Sequence, residues 1–134
     1  MSIDKPVPVD DDIDTRGFFD AAKRGAIAVK FCSNCERILH LPTPYCSACG
    51  SFESEWRDVS SNGTVYSWTV LRQQVHPGFP APYTVALVSL DDLPGVRYLT
   101  YLEGCPELKA GMPMVARFDD VRDGVVVPQW VPAE

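Results

Sequence analysis

The sequence of 134 residues lacks the segments that would send it into a membrane, along a secretory pathway or onto nucleic acid. No apolar run reaches the length of about 18 residues that a membrane-spanning helix needs. The first residues contain no apolar stretch of the kind found in secretory signals. No basic cluster occurs, and 12 Lys and Arg stand against 18 Asp and Glu, a net charge of −6. We therefore expect a cytoplasmic protein that is poorly suited to binding a phosphate backbone.

Recognisable catalytic motifs are also missing. We find no nucleophile elbow, phosphate-binding loop, dinucleotide fingerprint or zinc-protease motif. Histidine, the commonest general acid or base, occurs only as His40 and His76. We predict no catalytic residue in this chain. One alternative stays open, in which Cys105 or His76 serves a stand-alone enzyme.

Cysteine is the residue whose pattern is most informative. Cys32 and Cys35 form one C-x2-C pair, Cys46 and Cys49 form a second, and ten residues separate the pairs. Each pair can form a tight turn, and the intervening segment can bring the two turns together. Four thiolates then surround one ion tetrahedrally, which favours zinc. Since four cysteines leave zinc no open position, the predicted role of the ion is structural.

Disulfide bonds and an iron centre are less favoured roles for these cysteines. Disulfides are disfavoured because no export signal is visible. Iron in a rubredoxin-like centre would use the same ligands, but a redox centre normally needs longer shielding segments. His40 lies between the pairs and is expected to be a solvated loop residue, since four thiolates already complete the ligand set.

The N-terminal part of the chain predicts an arm followed by a short helix. Residues 1–13 are rich in Pro and Asp, and we interpret them as a flexible arm that is disordered or lies on a partner. Residues 14–27 predict a helix that ends at Gly25 and carries Phe18 and Phe19 near one face. This helix is too short to be stable alone and must pack on another surface.

The rest of the chain predicts a small, mainly β structure. A zinc ribbon is expected over residues 28–54 and a five-stranded barrel over residues 55–134. The predicted strands cover residues 63–75, 83–90, 96–102, 112–118 and 125–127. Strand pattern alone does not separate an OB barrel from an SH3-like barrel or a small sandwich.

Two surfaces of this barrel are candidate contact sites. His76, Phe79 and Tyr83 lie in a proline-rich loop between long strands, and such loops often carry binding sites. Trp68 and Arg72 lie on the first long strand, at the spacing that places side chains on one face. With Tyr66, this face predicts a packed core or a protein interface, since the basic groove needed for base stacking is lacking.

The order of these motifs resembles a known family. The matching segments are F-F-D-A-A-K-R-G, the two cysteine pairs, W-R-D-V-S-S-N-G-T-V-Y-S-W-T-V, P-Y-T-V-A-L-V-S-L, G-M-P-M-V-A-R-F and V-P-Q-W-V-P. They are similar to proteins in which a rubredoxin-like zinc ribbon precedes an OB-fold domain, long labelled a domain of unknown function. The resemblance covers residues 15–132. One departure is Glu36, where many members have Gly, although a turn can still form there.

The resemblance implies an N-terminal helix, a structural zinc ion and a five-stranded OB barrel. It also implies a non-catalytic subunit that scaffolds an acyl-CoA enzyme with the thiolase fold, such as a thiolase or a steroid side-chain aldolase, and that assists binding of the acyl-CoA. The metal ligands carried over are Cys32, Cys35, Cys46 and Cys49. The candidate partner or acyl-CoA contacts are Phe18, Phe19, Trp68, Arg72, His76, Phe79 and Tyr83.

Three further functions stay open at this point. The partner can be a hot-dog-fold enoyl-CoA hydratase, which some members of the family accompany. Zinc ribbons and OB barrels also occur in nucleic-acid-binding modules, although the acidic composition disfavours this role. A stand-alone enzyme or acyl-CoA carrier would depend on Cys105 or His76.

Overall fold

A computed structural model of the chain describes residues 5–133; the first four residues of the predicted arm, and Glu134, lie outside that range. The described residues form one helix and seven strands. In chain order these are α1 (Arg16–Lys23), β1 (Ile27–Cys32), β2 (Ser54–Val59), β3 (Gly63–Leu71), β4 (Tyr83–Leu90), β5 (Arg97–Glu103), β6 (Pro113–Arg122) and β7 (Val125–Pro132). No helix in this part of the chain has the length and apolar character needed to cross a membrane.

The helix α1 is shorter than the predicted span of 14–27. It ends before Gly25, whose φ of +74° is the left-handed conformation that glycine adopts at low cost. Thr15 precedes the helix but makes no side-chain capping bond. The helix is held by its buried face, because Ala21 and Ala22 are fully covered.

Strands β1 and β2 form an antiparallel hairpin that carries the cysteine region. Its register pairs Ile27 with Val59 at one end and Cys32 with Ser54 at the other. Ile27 and Val29 are fully buried and belong to the same apolar cluster as the barrel strands. The root of the ribbon is therefore fused to the barrel core.

The other five strands form one antiparallel sheet in the order β5-β4-β3-β6-β7. This order is that of the predicted OB-type barrel, in which the first strand pairs with both the second and the fourth. Strand β4 alternates fully buried and half-buried residues. Its buried set, Thr84, Ala86, Val88 and Leu90, faces the core.

Side chains close the barrel between the two edge strands, β5 and β7. The buried hydroxyl of Thr100 accepts the backbone N–H of Trp130 at 2.8 Å and lies 3.0 Å from the carbonyl oxygen of Trp130. The side-chain carbonyl of Gln129 accepts the backbone N–H of Tyr101 at 2.8 Å. We call this region the barrel seam.

The last strand is longer than the predicted one. The prediction covered 125–127, whereas β7 continues to Pro132 and pairs with β6 along this length. Pro128 and Pro132 argue against a central strand, but an edge strand tolerates proline because one side of it needs no ladder bonds. Trp130, between these prolines, is buried in the core.

Residues 5–13 contain no helix or strand, yet they lie against the chain's own body. Lys5 lies over the rings of Phe79 and Tyr101, and Asp10 forms an ion pair with Lys23 at 3.1 Å. This placement differs from the predicted flexible arm, which was expected to be disordered or to lie on a partner. No local pattern could signal it, because a cation above an aromatic ring requires tertiary contacts.

Candidate metal centre

Two similar backbone turns position the four cysteines of the ribbon. At the end of β1, the N–H of Glu36 donates to the carbonyl of Cys32 at 3.0 Å, and the N–H of Cys35 points to the sulfur of Cys32 at 3.5 Å. In the second turn, the N–H of Gly50 donates to the carbonyl of Cys46 at 2.8 Å. Each pair therefore forms the tight turn that its spacing predicts.

The residue after each pair has a left-handed backbone. Gly50 has φ +77° and Glu36 has φ +66°. Glycine adopts this conformation without strain, whereas a residue with a Cβ pays a steric cost of about 1 kcal/mol. The turn forms around Glu36 despite this strain, as expected from the sequence.

The sulfur atoms stand where a tetrahedral ion needs them. All four Sγ atoms lie within 4.8 Å of one another. The Cys32–Cys49 and Cys35–Cys46 sulfur pairs are each 3.6 Å apart. A tetrahedral zinc site with bonds of about 2.3 Å has sulfurs about 3.8 Å apart. The donor set therefore fits zinc, the predicted structural zinc is confirmed, and the four ligands leave no open coordination position.

Hydrogen bonds from amide groups stabilise the thiolate forms of Cys46 and Cys49. A hydrogen bond from Asn34, with the backbone N–H of Ser51, lowers the pKa of Cys49 to about 6. The backbone N–H of Cys49 lowers the pKa of Cys46. For Cys35 the N–H of Arg37 acts in the same direction, but hydrogen bonding with Cys46 and desolvation outweigh it and raise the pKa to about 12. A bound cation would deprotonate this last thiol as well.

Side chains from the hairpin support the turns. Arg57 of β2 forms ion pairs with Glu36 and Glu55, and its guanidinium lies 4.6 Å from the ring centre of Phe31. The buried Lys30 donates to the carbonyl of Thr43 at 2.9 Å, which fixes the segment between the cysteine pairs. These contacts tie the first turn and the segment between the cysteine pairs to the β1–β2 hairpin.

The ribbon exposes two aromatic side chains that the sequence analysis did not single out. Tyr45 is 50% exposed and Phe52 is 77% exposed, with ring centres 5.9 Å apart. We call these two residues the ribbon patch. The sequence did contain an indication of this patch. Large aromatic residues lie in or next to a small metal-binding loop, where there is little core to cover them.

His40 is not the solvated loop residue that the sequence predicted. Its Nε2 lies 3.1 Å from the carbonyl oxygen of Arg97, and its ring meets Tyr98 edge-on at 5.0 Å. The side chain is half-buried and joins the ribbon to the barrel. Tyr98 is itself stacked on Trp130, and burial raises the pKa of Tyr98 to about 12.

The predicted helix contacts have different surroundings. Phe18 stacks on Tyr98 at 5.4 Å, so it serves packing within the chain. Phe19 lies beside it and lines an apolar crevice of about 170 Å³ between the helix, the ribbon and the barrel. Trp56 and Leu41 line the same crevice.

The barrel strand β3 presents its aromatic residues to solvent. Tyr66 is 55% exposed and Trp68 is 41% exposed, so the expectation of a packed core is wrong for both. A bulge between Val65 and Ser67 shifts the register, and the alternation that the sequence suggested is broken there. Arg72 is also exposed. The interface expectation for Trp68 and Arg72 stays a prediction.

The three predicted loop residues, His76, Phe79 and Tyr83, lie close together. His76 meets Phe79 edge-on, and Phe79 is 6.2 Å from Tyr83 between ring centres. Nδ1 of His76 accepts the backbone N–H of Gly78 at 2.9 Å, so this histidine shapes the loop. Cys105 lies exposed after β5, outside the four-cysteine cluster.

Comparison with known families finds matches along most of the chain. A family model described as the ChsH2 rubredoxin-like zinc ribbon domain matches residues 19–55. A second model, the ChsH2 C-terminal OB-fold domain, matches residues 56–119. Together the two models match residues 19–119 of this chain.

Two curated relatives are similar over 90% of this chain. One, 34% identical over 122 residues, is named probable enoyl-CoA hydratase alpha subunit, from Thermomonospora curvata. The other, 30% identical over 123 residues, is the 3-oxo-4,17-pregnadiene-20-carboxyl-CoA hydratase alpha subunit of Mycobacterium tuberculosis. The chain spans 38% of the length of each.

Two solved structures share the fold. A chain of the Ltp2-ChsH2(DUF35) aldolase is 32% identical, with a TM-score of 0.81, and the match covers 96% of this chain and 98% of that one. A DUF35 protein of unknown function from Sulfolobus solfataricus has a TM-score of 0.57 at 24% identity, with 78% and 77% covered. The second likeness concerns the fold alone.

Proposed function

This chain belongs to the family of ChsH2-type zinc-ribbon and OB-fold proteins, and we propose on that premise that it is a non-catalytic accessory subunit of an acyl-CoA-processing enzyme. The partner subunit would hold the nucleophile and the acid–base groups. This chain would contribute interface area, stabilise the partner and assist binding of the acyl-CoA. The support from relatives lies in their names, two hydratase alpha subunits and one aldolase complex.

The observation that carries the proposal is that large aromatic side chains are exposed on a chain whose barrel has a complete buried core. The barrel has its own buried cluster, yet the ribbon patch and Trp68 stay exposed to solvent. Exposed aromatics of this size on a small domain are typical of protein interfaces. His40 and His76, the two histidines, both make structural hydrogen bonds, which supports placing the acid–base chemistry on the partner.

We propose a thiolase-fold enzyme as the partner, of the thiolase or aldolase type. Its support is the aldolase complex among the similar structures, in which the matched chain is almost as long as this one. The names of the curated relatives support a second candidate, an enoyl-CoA hydratase partner. Candidate contacts on this chain are the ribbon patch and the predicted residues Phe19, Trp68, Arg72, His76, Phe79 and Tyr83.

An affinity pull-down from the native organism's lysate tests the proposal. The full chain is used as bait beside a Tyr45→Ser/Phe52→Ser double variant, and co-eluting proteins are identified by mass spectrometry. The matched control is Leu99→Ser, which removes a side chain that is 69% exposed on β5 of the barrel. We expect a stoichiometric thiolase-fold subunit with the wild type and with Leu99→Ser, and its loss with the double variant.

Three results would contradict parts of the proposal. A hydratase in place of the thiolase-fold subunit would favour the second candidate. Nucleic acid that survives a salt wash would favour a nucleic-acid-binding module, since binding to phosphates weakens steeply with salt. Turnover of acyl-CoA esters by the purified single chain, lost in Cys105→Ala or His76→Ala, would overturn the accessory role.

A further inference from the structure

Three aromatic rings meet at one end of the barrel seam. Phe79 lies in the loop between β3 and β4, Tyr83 is at the start of β4, and Tyr101 is in β5. The ring centres are 5.1 Å apart for Phe79–Tyr101, 5.3 Å for Tyr83–Tyr101 and 6.2 Å for Phe79–Tyr83. We call these three residues the aromatic cage.

A cation already occupies this cage. The ammonium nitrogen of Lys5 lies 4.9 Å from the ring centre of Tyr101 and 5.3 Å from that of Phe79. Both distances are within the range of about 6 Å in which a cation is attracted to a ring face. Burial, and after it the charge of Glu103, raises the pKa of Tyr101, which places a carboxylate close to the same ring. The cage therefore has the aromatic faces and the nearby negative charge that suit an ammonium group.

The loop backbone is shaped to admit the arm. Gly78 is buried, and a Cβ built on it would lie 2.9 Å from Cα of Lys5 and 3.0 Å from its Cγ. Real Cβ atoms do not come this close to a backbone atom, so any larger residue would push the arm away. The N–H of Gly78 is bound by His76, which holds the loop in the conformation that leaves this space.

The arm continues along a groove. Lys5, Pro6 and Pro8 form one wall of a groove of about 520 Å³ over the seam. Its other walls include Val85, Val121 and Val127. An extended, proline-containing segment with no internal hydrogen bonds is the kind of peptide that aromatic-lined grooves bind.

We propose that the aromatic cage and the adjoining groove are a binding site for an extended lysine–proline segment of a partner chain, and that the chain's own Lys5–Pro8 segment is its displaceable internal ligand. The partner is identified by chemistry: an ammonium group for the rings, followed by proline for the groove. While Lys5 lies over the rings, a partner segment must compete with a tethered ligand. This proposal does not depend on the acyl-CoA role.

The first test asks whether Lys5 occupies the cage in solution. In the full chain we expect the side-chain methylene protons of Lys5 to show upfield ring-current shifts in NMR spectra. Tyr101→Leu should return them to random-coil positions. Random-coil positions in the wild type would overturn the proposal.

The second test asks whether the vacated site binds the same chemistry from outside. The probe is the peptide acetyl-Lys-Pro-Val-Pro-Val-amide, titrated into full-length wild type, Lys5→Gln and Gly78→Ala chains. A peptide with norleucine in place of lysine is the control, because it keeps the shape and lacks the charge. Gly78→Ala alters the loop, so Lys5→Gln keeps the test decisive if that variant fails to fold.

We expect Lys5→Gln to bind the lysine peptide about tenfold more tightly than the wild type, because the tethered competitor is weakened. Gly78→Ala should bind it no more tightly than the wild type, because the added Cβ takes the space of the lysine backbone. Shift changes should fall on Phe79, Tyr83 and Tyr101, and the norleucine peptide should bind weakly. Equal binding by the wild type and Lys5→Gln, or shift changes elsewhere, would overturn the proposal. So would dimerisation that is lost in Lys5→Gln, since the occupant would then be the arm of a second copy.

Discussion

The ribbon and the barrel are stabilised in different ways, although they share one hairpin. The barrel has a cluster of eleven buried residues, and two of them, Ile27 and Val29, come from the root of the ribbon. Beyond that root, the buried cluster of the ribbon consists of Cys32, Leu39 and Cys46. Two of these three are metal ligands, so the tip of the ribbon has almost no apolar core of its own.

The two regions therefore have different sources of stability. Burial of apolar area stabilises the barrel without any ion. The ribbon tip needs zinc, since metal binding supplies folding free energy where a core is missing. Exposed aromatics in the tip therefore stay available for contacts instead of being used for packing.

Removal of the metal is expected to unfold one region and spare the other. A Cys46→Ser chain, or wild type treated with a strong chelator, should lose amide dispersion over residues 33–53 and keep it over β3–β7. The reason is that the barrel core contains no metal ligand. Two-dimensional NMR with metal analysis measures this, and the wild type should hold about one zinc per chain.

The matched control for this experiment is the fifth cysteine. Cys105 is exposed and lies outside the cluster, so Cys105→Ser should keep the full metal content and the ribbon signals. If the chelated chain loses barrel signals as well, the two regions fold as one unit and the comparison fails.

Opening the barrel seam is expected to cost stability without any loss of zinc. Thr100→Val preserves the side-chain shape but leaves the buried N–H of Trp130 without its acceptor. An unsatisfied buried donor costs about 1–3 kcal/mol in the free energy of unfolding. Urea denaturation measures this, with the exposed Thr69→Val on β3 as a control that should change stability little. Equal effects of the two substitutions would show that the seam bond is unimportant.

Substitution of Glu36, which has a left-handed backbone conformation, should have a smaller effect on stability and in the opposite direction. Glu36→Gly should relieve the backbone strain at φ +66° and raise ribbon stability by about 1 kcal/mol. Glu36→Gln removes the ion pair with Arg57 and keeps the strain, so it separates the two contributions. Competition with a chelator measures zinc retention in each chain. Weaker retention in Glu36→Gly than in the wild type would mean that the Arg57 contact matters more than the strain.

The surface of β3 is expected to matter least for stability. Trp68→Ala should change the free energy of unfolding by no more than about 0.5–1 kcal/mol, because much of the side chain is exposed. Thermal unfolding of the purified chain measures this. A large loss of stability would show that Trp68 packs within the barrel and is not a candidate contact.

The sequence predicted the parts of this molecule that depend on local spacing. The two C-x2-C pairs predicted the zinc cluster, because turn geometry follows from two intervening residues. Gly25 predicted the helix end, and strand β4 was predicted with the observed bounds of 83–90. Each of these features depends on neighbouring residues in the chain.

Features that depend on distant contacts could not be predicted in the same way. The prediction ended the last strand at Val127, whereas β7 continues past Pro128, which its position at the sheet edge makes acceptable. The bulge between Val65 and Ser67 of β3 shifts the register against β4, which the sequence pattern did not predict. His40 contacts Arg97 of β5, 57 residues away, and Lys5 contacts Tyr101 of the same strand. A sequence pattern does not show contacts between residues so far apart in the chain.

The decisive measurement is turnover of an acyl-CoA ester by the purified partner enzyme, with and without this chain. We expect no turnover by this chain alone, and a partner activity that rises when the zinc-loaded chain is added. The Tyr45→Ser/Phe52→Ser variant should fail to raise it, and Leu99→Ser should act as the wild type does. Turnover by this chain alone, or partner activity that is indifferent to its presence, would contradict the accessory role.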